Sequence, residues 1–493
     1  MNRELSRVSV LLLCMFVALF GSTSIIQWAQ ADALRDDPRN SRTILASFAA
    51  ERGSILVDGT AVAQSVESGD VYEWQRVYPQ GALYAPVTGY NTLGQGNSGI
   101  EGAMNDELTG QASSQFFQQV EQLITGQDPS GSSVELTIDP AAQQAAMDGL
   151  AAAGAGATGA AVAIDPATGD ILALASSPTF DPSLLANHDT EAVIAAYDTM
   201  LADPNDPLVN RAIGGDLYFP GSVFKLVVTA AAIESGSYTP ESTFGNPASL
   251  DLSGTQTPIY NSTRQACSGG EGDQVSLTSA LIYSCNIPFA ELGEQLGEDA
   301  IADQAAAFGY GDPLSIPMSV TPSTYPTGLS PSELQLTSFG QFDVRVTPLQ
   351  IAMTTAAIAN GGELMQPQLV DEVIDTETLD VLAEPAPQSL GQAVSESTAQ
   401  TMQDLMVQGV TEGLASNAAI PGVTVGGKTG TAENDESGDS PYNLWFTGFG
   451  EGSDGQQVAV AVVVVPEQNI AADTSNQVAA PIGRAMIEAV LNS

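Results

Sequence analysis

Strand-forming segments at both ends of residues 156–493 constrain the fold more than any other feature of the sequence. Near the start, "AVAIDPATGDILALASSP" (161–178) has two apolar runs separated by Pro-Ala-Thr-Gly, the pattern of a β-hairpin. Near the end, "NLWFTGF" (443–449) and "QVAVAVVVV" (457–465) flank a polar, glycine-rich turn. Helical or mixed segments fill the long stretch between them. We therefore predict one α/β domain whose sheet begins early, is completed late and is closed by a helix over 476–491.

A smaller module of mixed helix and strand is predicted upstream, over residues 29–155. Its last part, "VELTIDPAAQQAAMDGLAAAG" (134–154), indicates a strand followed by a helix that Asp139 caps. A chain of 493 residues is long enough for two or three domains with large cores. The sequence shows no internal repeat, so we predict one module followed by one larger domain.

The N-terminus carries an apolar run, "VSVLLLCMFVALFGSTSII" (8–26), close to the ~20 residues that a spanning helix needs. Arg3 and Arg7 precede the run, and the next cation is Arg35. The positive-inside rule therefore places a short tail, residues 1–7, in the cytoplasm and the rest of the chain outside the membrane. A cleaved signal peptide is the alternative, because "AQADA" (29–33) has the spacing of a cleavage site. We favour an uncleaved membrane anchor over residues 8–28, because the apolar run is longer than a usual signal core.

The composition excludes several classes of function. A net charge of −45 and the lack of any Lys/Arg cluster argue against nucleic acid as a partner. Three cysteines and one histidine cannot form a zinc site of the usual kinds, and we predict neither metal nor cofactor. The single histidine, His188, lies in a polar loop or helix start, and we expect it to be an incidental surface residue.

Only two of the 13 cationic residues are lysines, and the first lies three residues after a serine. In "YFPGSVFKLVVTAAAI", Ser222 comes at the predicted start of an apolar helix, and Lys225 lies one turn on, on the same face. A neutral lysine can take the proton that makes a serine hydroxyl nucleophilic. The Ser-x-x-Lys pattern alone is weak evidence for catalysis, because a helix-capping serine followed by a solvated lysine produces the same pattern by chance. The apolar residues around Lys225 and the scarcity of lysine in the chain favour a catalytic role.

Two further motifs follow in order: Ser284-Cys285-Asn286, then Lys428-Thr429-Gly430 just before the C-terminal strands. Ser-x-x-Lys, Ser-x-Asn and Lys-Thr-Gly in this order are typical of penicillin-binding proteins and class A β-lactamases. The chain resembles the class B penicillin-binding proteins, the peptidoglycan D,D-transpeptidases, along nearly its whole length. It is most similar to the actinobacterial penicillin-binding protein A group, which has a short N-terminal module and no added C-terminal module.

Four other segments resemble the same family: "RGSI" (52–55), "GIEGAMNDELTG" (99–110), "NRA" (210–212) and "VTPLQIAMTTAAIANGG" (346–362). The chain departs from the family after "RGSI", where "LVDGTAVAQS" replaces a polar turn and a basic residue. The resemblance implies a β-lactamase-like α/β fold, with an antiparallel sheet that has helices on both faces. This domain would follow the smaller module and the single membrane helix.

The resemblance also implies roles for the first two motifs. Ser222 would attack the carbonyl of the penultimate D-Ala of a stem peptide, expel the terminal D-Ala and form an acyl-enzyme. Lys225 would be the general base. Ser284, held by both lysines, would relay a proton to the leaving amine. Asn286 would hold the substrate backbone and orient Lys225.

The third motif would bind the substrate. Lys428, Thr429, Gly430 and Thr431 would surround its carboxylate, with Lys428 also taking part in the proton relay. The backbone N–H groups of Ser222 and Thr431 would form the oxyanion hole. An amine from a neighbouring stem peptide would then resolve the ester into a cross-link. The resemblance further implies inhibition by β-lactams, a part in cell shape or division, and a membrane glycosyltransferase as partner.

Other functions remain open at this point. A D,D-carboxypeptidase or a β-lactamase would use the same acyl-serine chemistry with water as acceptor, and an inactive scaffold of a cell-wall complex would use none. "GVTVGGKT" (422–429) also matches the phosphate-binding loop pattern. We set that match aside, because its middle reads as strand and no helix is predicted after it.

The cysteines leave two readings. Cys267 and Cys285 can form a disulfide in an oxidising compartment, closing a loop worth ~3 kcal/mol in the simple entropy model. Alternatively, Cys285 is a small buried residue between Ser284 and Asn286.

Overall fold

The computed structural model describes residues 2–29, 48, 50–112, 130–215, 217–433, 441–468 and 474–493. Within them, the segment Ser6–Trp28 forms a helix long and apolar enough to cross a membrane. Its side chains from residue 6 to residue 28 are exposed. All but the first residue of the cleavage pattern at 29–33 lies outside the described residues.

The described helices are numbered in chain order. They are α1 (Asn2–Ser24), α2 (Gly81–Thr88), α3 (Gly99–Ala103), α4 (Asn105–Leu108), α5 (Pro140–Ala152), α6 (Thr190–Leu201), α7 (Lys225–Glu234), α8 (Leu277–Ile282), α9 (Ile287–Leu296), α10 (Glu298–Ala307), α11 (Pro331–Thr337), α12 (Pro348–Ala359), α13 (Glu396–Thr411) and α14 (Ser475–Val490). Short 3-10 turns lie at Pro182–Leu184, Gly221–Phe224 and Ser416–Ala418, and a π-helical turn follows α1 at Ile25–Ala29.

The strands are numbered in the same way. They are β1 (Ile55–Val57), β2 (Thr60–Glu67), β3 (Trp74–Val77), β4 (Asn91–Thr92), β5 (Gly96–Asn97), β6 (Ser133–Leu136), β7 (Thr158–Ile164), β8 (Ile171–Ser177), β9 (Thr243–Gly245), β10 (Ser249–Asp251), β11 (Pro258–Tyr260), β12 (Gln274–Ser276), β13 (Leu314–Ser315), β14 (Ser319–Val320), β15 (Glu363–Met365), β16 (Val370–Ile374), β17 (Val381–Ala383), β18 (Ser389–Gln392), β19 (Thr424–Ala432), β20 (Asn443–Glu451) and β21 (Gln457–Val465).

A five-stranded antiparallel sheet in the order β19-β20-β21-β7-β8 forms the centre of the larger domain. Its first hairpin, β7–β8, is the one predicted from residues 161–178. The late strands β20 and β21 pair with each other and join β7 through β21. The prediction of one sheet that begins early and is completed late is therefore confirmed.

Both faces of this sheet are buried, which explains the continuous apolar sequence of β21. Val458, Val460 and Val462 pack into one hydrophobic cluster, and the alternate residues Ala459 and Ala461 pack into another. Successive side chains of a strand point to opposite faces, so a strand covered on both sides lacks polar alternation. Helices α5 and α14 cover the first face, and α12 packs against the second. The predicted fold, an antiparallel sheet with helices on both faces, is confirmed.

The start of helix α5 and its packing on α14 follow from individual residues of its sequence. Asp139 caps its N-terminus, because the carboxylate accepts a hydrogen bond from the N–H of Ala142 at 2.7 Å. Gly149 lies against α14, where a Cβ atom would come within 2.7 Å of Ile482. The predicted cap is therefore present, and the small residues of α5 permit its close packing on α14.

A second sheet, in the order β17-β16-β6-β1-β2-β3, belongs to the N-terminal module but takes strands from both sides of residue 155. Strand β16 pairs antiparallel with β6, whereas β6 pairs parallel with β1. Two late strands therefore extend the sheet that the N-terminal residues begin.

The resemblance segments "RGSI" and "GIEG" meet in this module through buried charges. Glu101 is fully buried and accepts hydrogen bonds from Arg52 and Arg76, each with a 2.6 Å nitrogen–oxygen distance. Tyr78 adds a hydroxyl hydrogen bond of 3.1 Å to the same carboxylate. Burial opposes ionisation of Glu101, but the two arginines offset it and hold its pKa below the usual value. The triad thus ties β3 and the turn before β1 to helix α3.

Candidate active site

Ser222 lies in the 3-10 turn Gly221–Phe224, immediately before helix α7. Gly221 has φ +52°, and a Cβ atom there would come within 2.5 Å of the Thr431 carbonyl oxygen. Its N–H donates to the carbonyl of Gly340 at 2.9 Å. A glycine is required before the serine, because no other residue fits both the left-handed backbone and the contact with β19.

Lys225 is fully buried at the start of α7. Its Nζ donates to the carbonyl of Ser284 at 2.8 Å and to Oδ1 of Asn286 at 2.9 Å. Burial, followed by repulsion from Lys428, lowers the pKa of Lys225 well below its ordinary value. The amine is therefore held where it can be neutral and accept a proton.

Ser284 occupies the connection between α8 and α9 with φ +58°, a left-handed conformation that is unusual for serine. Its carbonyl accepts from Lys225, and its Oγ accepts from Lys428 at 2.7 Å. One strained residue thus contacts both lysines of the chain. Strained backbone of this kind persists where surrounding contacts enforce it and is common at functional sites.

The Cys267–Cys285 disulfide attaches this connection to the loop before β12. The two Cα atoms are 5.7 Å apart, within the normal range for a disulfide. Of the two possibilities that the sequence leaves open, the structure shows the disulfide and not an unpaired Cys285. Cys14 is the free cysteine of the described residues.

Asn286 has both ends of its side-chain amide engaged. Oδ1 accepts from Lys225, and Nδ2 donates to the carbonyl of Tyr260 at 2.9 Å. Buried Asn261 completes the arrangement, because its Oδ1 accepts from the backbone N–H groups of Asn286 and Ile287. Asn261 therefore caps α9 from a distant loop. Sequence reasoning missed it, and its only local signal is a place in the polar stretch "YNSTR".

Lys428 lies in the middle of β19 and is almost fully buried. Its Nζ donates to Oγ of Ser284 and to the carbonyl of Thr429, both at 2.7 Å. Burial lowers its pKa to about 7. This segment is a continuous strand, Thr424–Ala432, so the rejection of a phosphate-binding loop at 422–429 is confirmed.

The rest of the third motif lies on the same strand, beside the turn that carries Ser222. A Cβ atom on Gly430 would come within 3.0 Å of the N–H nitrogen of Val223, so β19 and the turn are in close contact. The Oγ1 of Thr431 lies 2.8 Å from Oγ of Ser475, which donates to the carbonyl of Gly430 at 2.7 Å. Buried Ser475 is a second residue that sequence reasoning missed, because it lies at the start of α14, 44 residues after Thr431.

His188 corrects one expectation. It was expected to be an incidental surface residue, but its side chain is only 9% exposed and its Nδ1 lies 2.6 Å from Asp70. The Tyr72 ring packs 4.7 Å from it and the Phe48 ring 6.0 Å, measured between centroids. Its partners come from the N-terminal module, so the histidine joins that module to the loop before α6. Sequence reasoning missed the burial because the covering residues are more than 100 positions away.

The lysines, Ser284 and Asn286 therefore form one hydrogen-bonded cluster next to the turn that carries Ser222. Two segments of the chain match models of known protein families. Residues 159–488 match the penicillin-binding protein transpeptidase domain, and residues 52–134 match the penicillin-binding protein A dimerisation domain.

Two relatives align with the chain over its whole length. The chain is 38% identical to peptidoglycan D,D-transpeptidase PbpA of Mycolicibacterium smegmatis, over 100% of this chain and 99% of the relative. It is 38% identical to PbpA of Mycobacterium tuberculosis with the same coverage. The M. tuberculosis penicillin-binding protein A, solved as an imipenem acyl-enzyme, aligns with a TM-score of 0.84 and 37% identity. That alignment covers 91% of this chain and 100% of the other. The chain belongs to the penicillin-binding protein transpeptidases, in the group of penicillin-binding protein A.

Proposed function

We propose that this chain is a D,D-transpeptidase that cross-links peptidoglycan stem peptides through an acyl-Ser222 intermediate and is inhibited by β-lactams at the same serine. The observation that carries the proposal is the buried Lys225 amine, which contacts both Ser284 and Asn286 one helical turn from Ser222. The acyl-enzyme structures of the M. tuberculosis relative with imipenem and ceftriaxone support it.

In the first step, Ser222 Oγ attacks the carbonyl of the penultimate D-Ala, and its proton passes to Lys225. Lysine can accept a proton only when it is neutral. Burial of Lys225, and then repulsion from Lys428, lower its pKa and so favour the neutral state. The two hydrogen bonds that Lys225 donates leave the nitrogen lone pair for the serine proton. The bond from D-Ala nitrogen then breaks as the ester to Ser222 forms.

The leaving amine must gain a proton. Ser284 Oγ, which accepts from Lys428, is the donor in this proposal, and Lys428 replaces the proton that the hydroxyl gives up. Lys225 contacts the main-chain carbonyl of Ser284 and keeps the proton from Ser222 until the ester is resolved. Asn286 orients Lys225. Its Nδ2 donates one N–H to the Tyr260 carbonyl, and the second N–H of the same amide can donate to a carbonyl of the substrate backbone.

Strand β19 binds the substrate carboxylate in this proposal. Lys428 supplies the positive charge, and the residues after it, Thr429, Gly430 and Thr431, form the wall against which the peptide lies. The N–H groups of Ser222 and Thr431 stabilise the oxyanion, a contribution worth ~3–4 kcal/mol per donor. Support comes from the close packing of the nucleophile turn on β19. An acceptor amine then attacks the ester and releases Ser222 with its proton.

The same proposal assigns the chain to the membrane with residues 1–7 in the cytoplasm and residues 8–28 as a single anchor. It divides the remainder into an N-terminal module at 29–155 and an extracytoplasmic transpeptidase domain at 156–493. The apolar helix Ser6–Trp28 and the arginines before it support this orientation. A membrane glycosyltransferase that makes the glycan strands is the proposed partner, because cross-linking needs newly made strands close to the membrane.

Labelling with a fluorescent penicillin tests the reaction. We expect the intact protein to gain one penicillin mass, Ser222→Ala to gain none, and the adduct to persist for hours. Ser235→Ala is the matched control, because it removes a serine hydroxyl just past the other end of the same helix. Labelling of Ser222→Ala would overturn the assignment of the nucleophile, and rapid loss of the adduct would indicate a β-lactamase.

A further inference from the structure

The described part of the chain beyond the membrane helix contains eight cationic side chains, in a protein of net charge −45. They are Arg52, Arg76, Arg211, Lys225, Arg264, Arg345, Lys428 and Arg484. The two lysines belong to the proposed catalytic cluster. The contacts of the six arginines decide which of them can bind anything else.

Four arginines have close hydrogen-bond partners within the protein. Arg52 and Arg76 bind the buried carboxylate of Glu101. Arg211 donates to backbone carbonyls, including that of Asp206 at 3.0 Å, in the loop before it. Arg484 binds Glu488 through Nε and Nη2, at 3.0 and 2.9 Å. Each of these four guanidinium groups is therefore held by an acceptor within the protein.

Arg264 and Arg345 differ from these four. Each guanidinium stacks on an aromatic ring, Arg264 at 4.9 Å from the Tyr260 centroid and Arg345 at 3.4 Å from that of Phe219. Neither guanidinium makes a hydrogen bond to any residue that the structure describes. The nearest carboxylate to Arg345 is that of the well-exposed Asp343, at 3.7 Å, which is beyond hydrogen-bond distance. Arg264 is exposed and the Arg345 side chain is 33% exposed, so both have N–H donors that no acceptor in the described residues uses.

Both stacking rings belong to segments that hold the catalytic motifs. Phe219 lies three residues before Ser222, and its carbonyl accepts hydrogen bonds from Trp445 and Asn443. Arg345 is next to Val346, whose backbone pairs with Tyr218. Arg345 is therefore attached to the segment that leads to the nucleophile.

Arg264 is attached to the opposite motif. The Tyr260 carbonyl accepts from Asn286, and the backbone N–H of Arg264 donates to the carbonyl of Asn261, at 2.8 Å. Asn261 in turn caps the N–H groups of Asn286 and Ile287. The two arginines with open hydrogen-bonding capacity thus lie beside the nucleophile segment and beside the Ser-Cys-Asn segment, respectively.

A guanidinium that lies over a ring has fewer orientations open to it, and its planar N–H groups can bind a carboxylate at two points. Stem peptides carry acidic groups along their length in addition to the terminal carboxylate that Lys428 would bind. A protein this acidic repels such a ligand unless local cations offset the repulsion. Exposed charges are largely screened beyond ~8–10 Å, so only cations close to the bound ligand, such as ones attached to the two motif segments, could offset that repulsion.

We propose that Arg264 and Arg345 recognise carboxylates along the stem peptide and so select acidic, non-amidated stem peptides as substrates. This inference rests on the proposed transpeptidase function. The recognised carboxylate can belong to the donor peptide or to the acceptor peptide. Acylation involves only the donor and transfer involves the acceptor, so assays of the two half-reactions distinguish them.

The donor half is tested by acylation with two β-lactams, penicillin G and carbenicillin, which differ by one added carboxylate on the side chain. We expect Arg264→Gln or Arg345→Gln to lower the carbenicillin to penicillin G ratio of acylation rates by about twofold to fivefold, the upper part of the range for a partly exposed ion pair. Arg→Lys at the affected position should restore part of the ratio. Arg484→Gln removes the same charge at a site bound to Glu488 and should leave the ratio unchanged.

The acceptor half is tested by measuring the rates of acyl transfer from a thioester donor to D-alanine and to D-alaninamide, which lacks the carboxylate. The ratio of the two rates is the preference for D-alanine. A loss of preference for D-alanine in either arginine variant supports recognition of the acceptor strand. Unchanged ratios in both halves, in both variants, would overturn the inference. Failure of the parent protein to acylate at all would instead refute the proposed function, so the two failures are distinguishable.

Discussion

The left-handed backbone of Ser284 allows the cost of shaping the site to be measured apart from the value of its hydroxyl. Ser284→Gly and Ser284→Ala remove the same hydroxyl, and both keep the main-chain carbonyl that binds Lys225. They differ in backbone preference, because φ +58° costs a residue with a Cβ atom ~1–2 kcal/mol and costs glycine almost nothing. The greater freedom of glycine in the unfolded chain returns ~0.4–1 kcal/mol of this difference.

The glycine variant should therefore be more stable than the alanine variant by about 1 kcal/mol, or ~1–3 °C in unfolding temperature for a domain of this size. Thermal unfolding followed by intrinsic fluorescence measures the difference. Equal stabilities would show that the surrounding contacts, including the disulfide at Cys285, do not hold residue 284 against its own preference.

Activity should show the opposite pattern, with both variants impaired alike. Each loses the oxygen that accepts from Lys428 at 2.7 Å, and positioned proton-transfer groups contribute ~10²–10⁴-fold to rate. We expect penicillin acylation to fall about 100-fold or more in both. Parent-like acylation of either variant would refute the proton relay through Ser284, whatever its stability.

Three further changes test the network around the lysines and the N-terminal module. The second-order acylation rate should rise with pH as Lys225 loses its proton and fall as Lys428, with a pKa of about 7, loses the charge that attracts the carboxylate. Lys428→Arg should remove the falling limb and lower the rate at all pH values, because arginine stays charged and cannot supply the relay proton. Asn261→Ala should destabilise the protein by ~1–2 kcal/mol in thermal unfolding and slow acylation, because two capped N–H groups lose their acceptor. Glu101→Gln should cost ~3–5 kcal/mol in the same measurement with a smaller effect on acylation, because it leaves two buried arginines uncompensated.

Much of the larger domain was predictable because its signals are local. The hairpin at 161–178 has two apolar runs and a turn sequence, and β21 has nine residues typical of a strand buried on both faces. The order of the three motifs gave the candidate site for the same reason, since each motif is a short run of residues. Their meeting at Ser284, which contacts both lysines, agrees with the sequence expectation.

What the sequence did not reveal depends on contacts between distant residues. Asn261 caps a helix that begins 26 residues later, and Ser475 bonds a strand 45 residues earlier. His188 is buried only because Asp70 and Tyr72 come from another module. In each case the local sequence is an ordinary polar stretch, and the partner is set by tertiary packing.

The electrostatics of the two lysines show why composition alone is a poor guide to a site. From the sequence, a surround of net charge −45 should keep Lys225 protonated and oppose its use as a base. In the structure burial acts in the opposite direction and is the first cause of the lowered pKa of both lysines. The field of a surface charge is largely screened beyond ~8–10 Å, whereas the loss of water acts at the amine itself. The enclosure of the cluster, and not the charge of the chain, therefore decides the protonation state on which the proposed reaction depends.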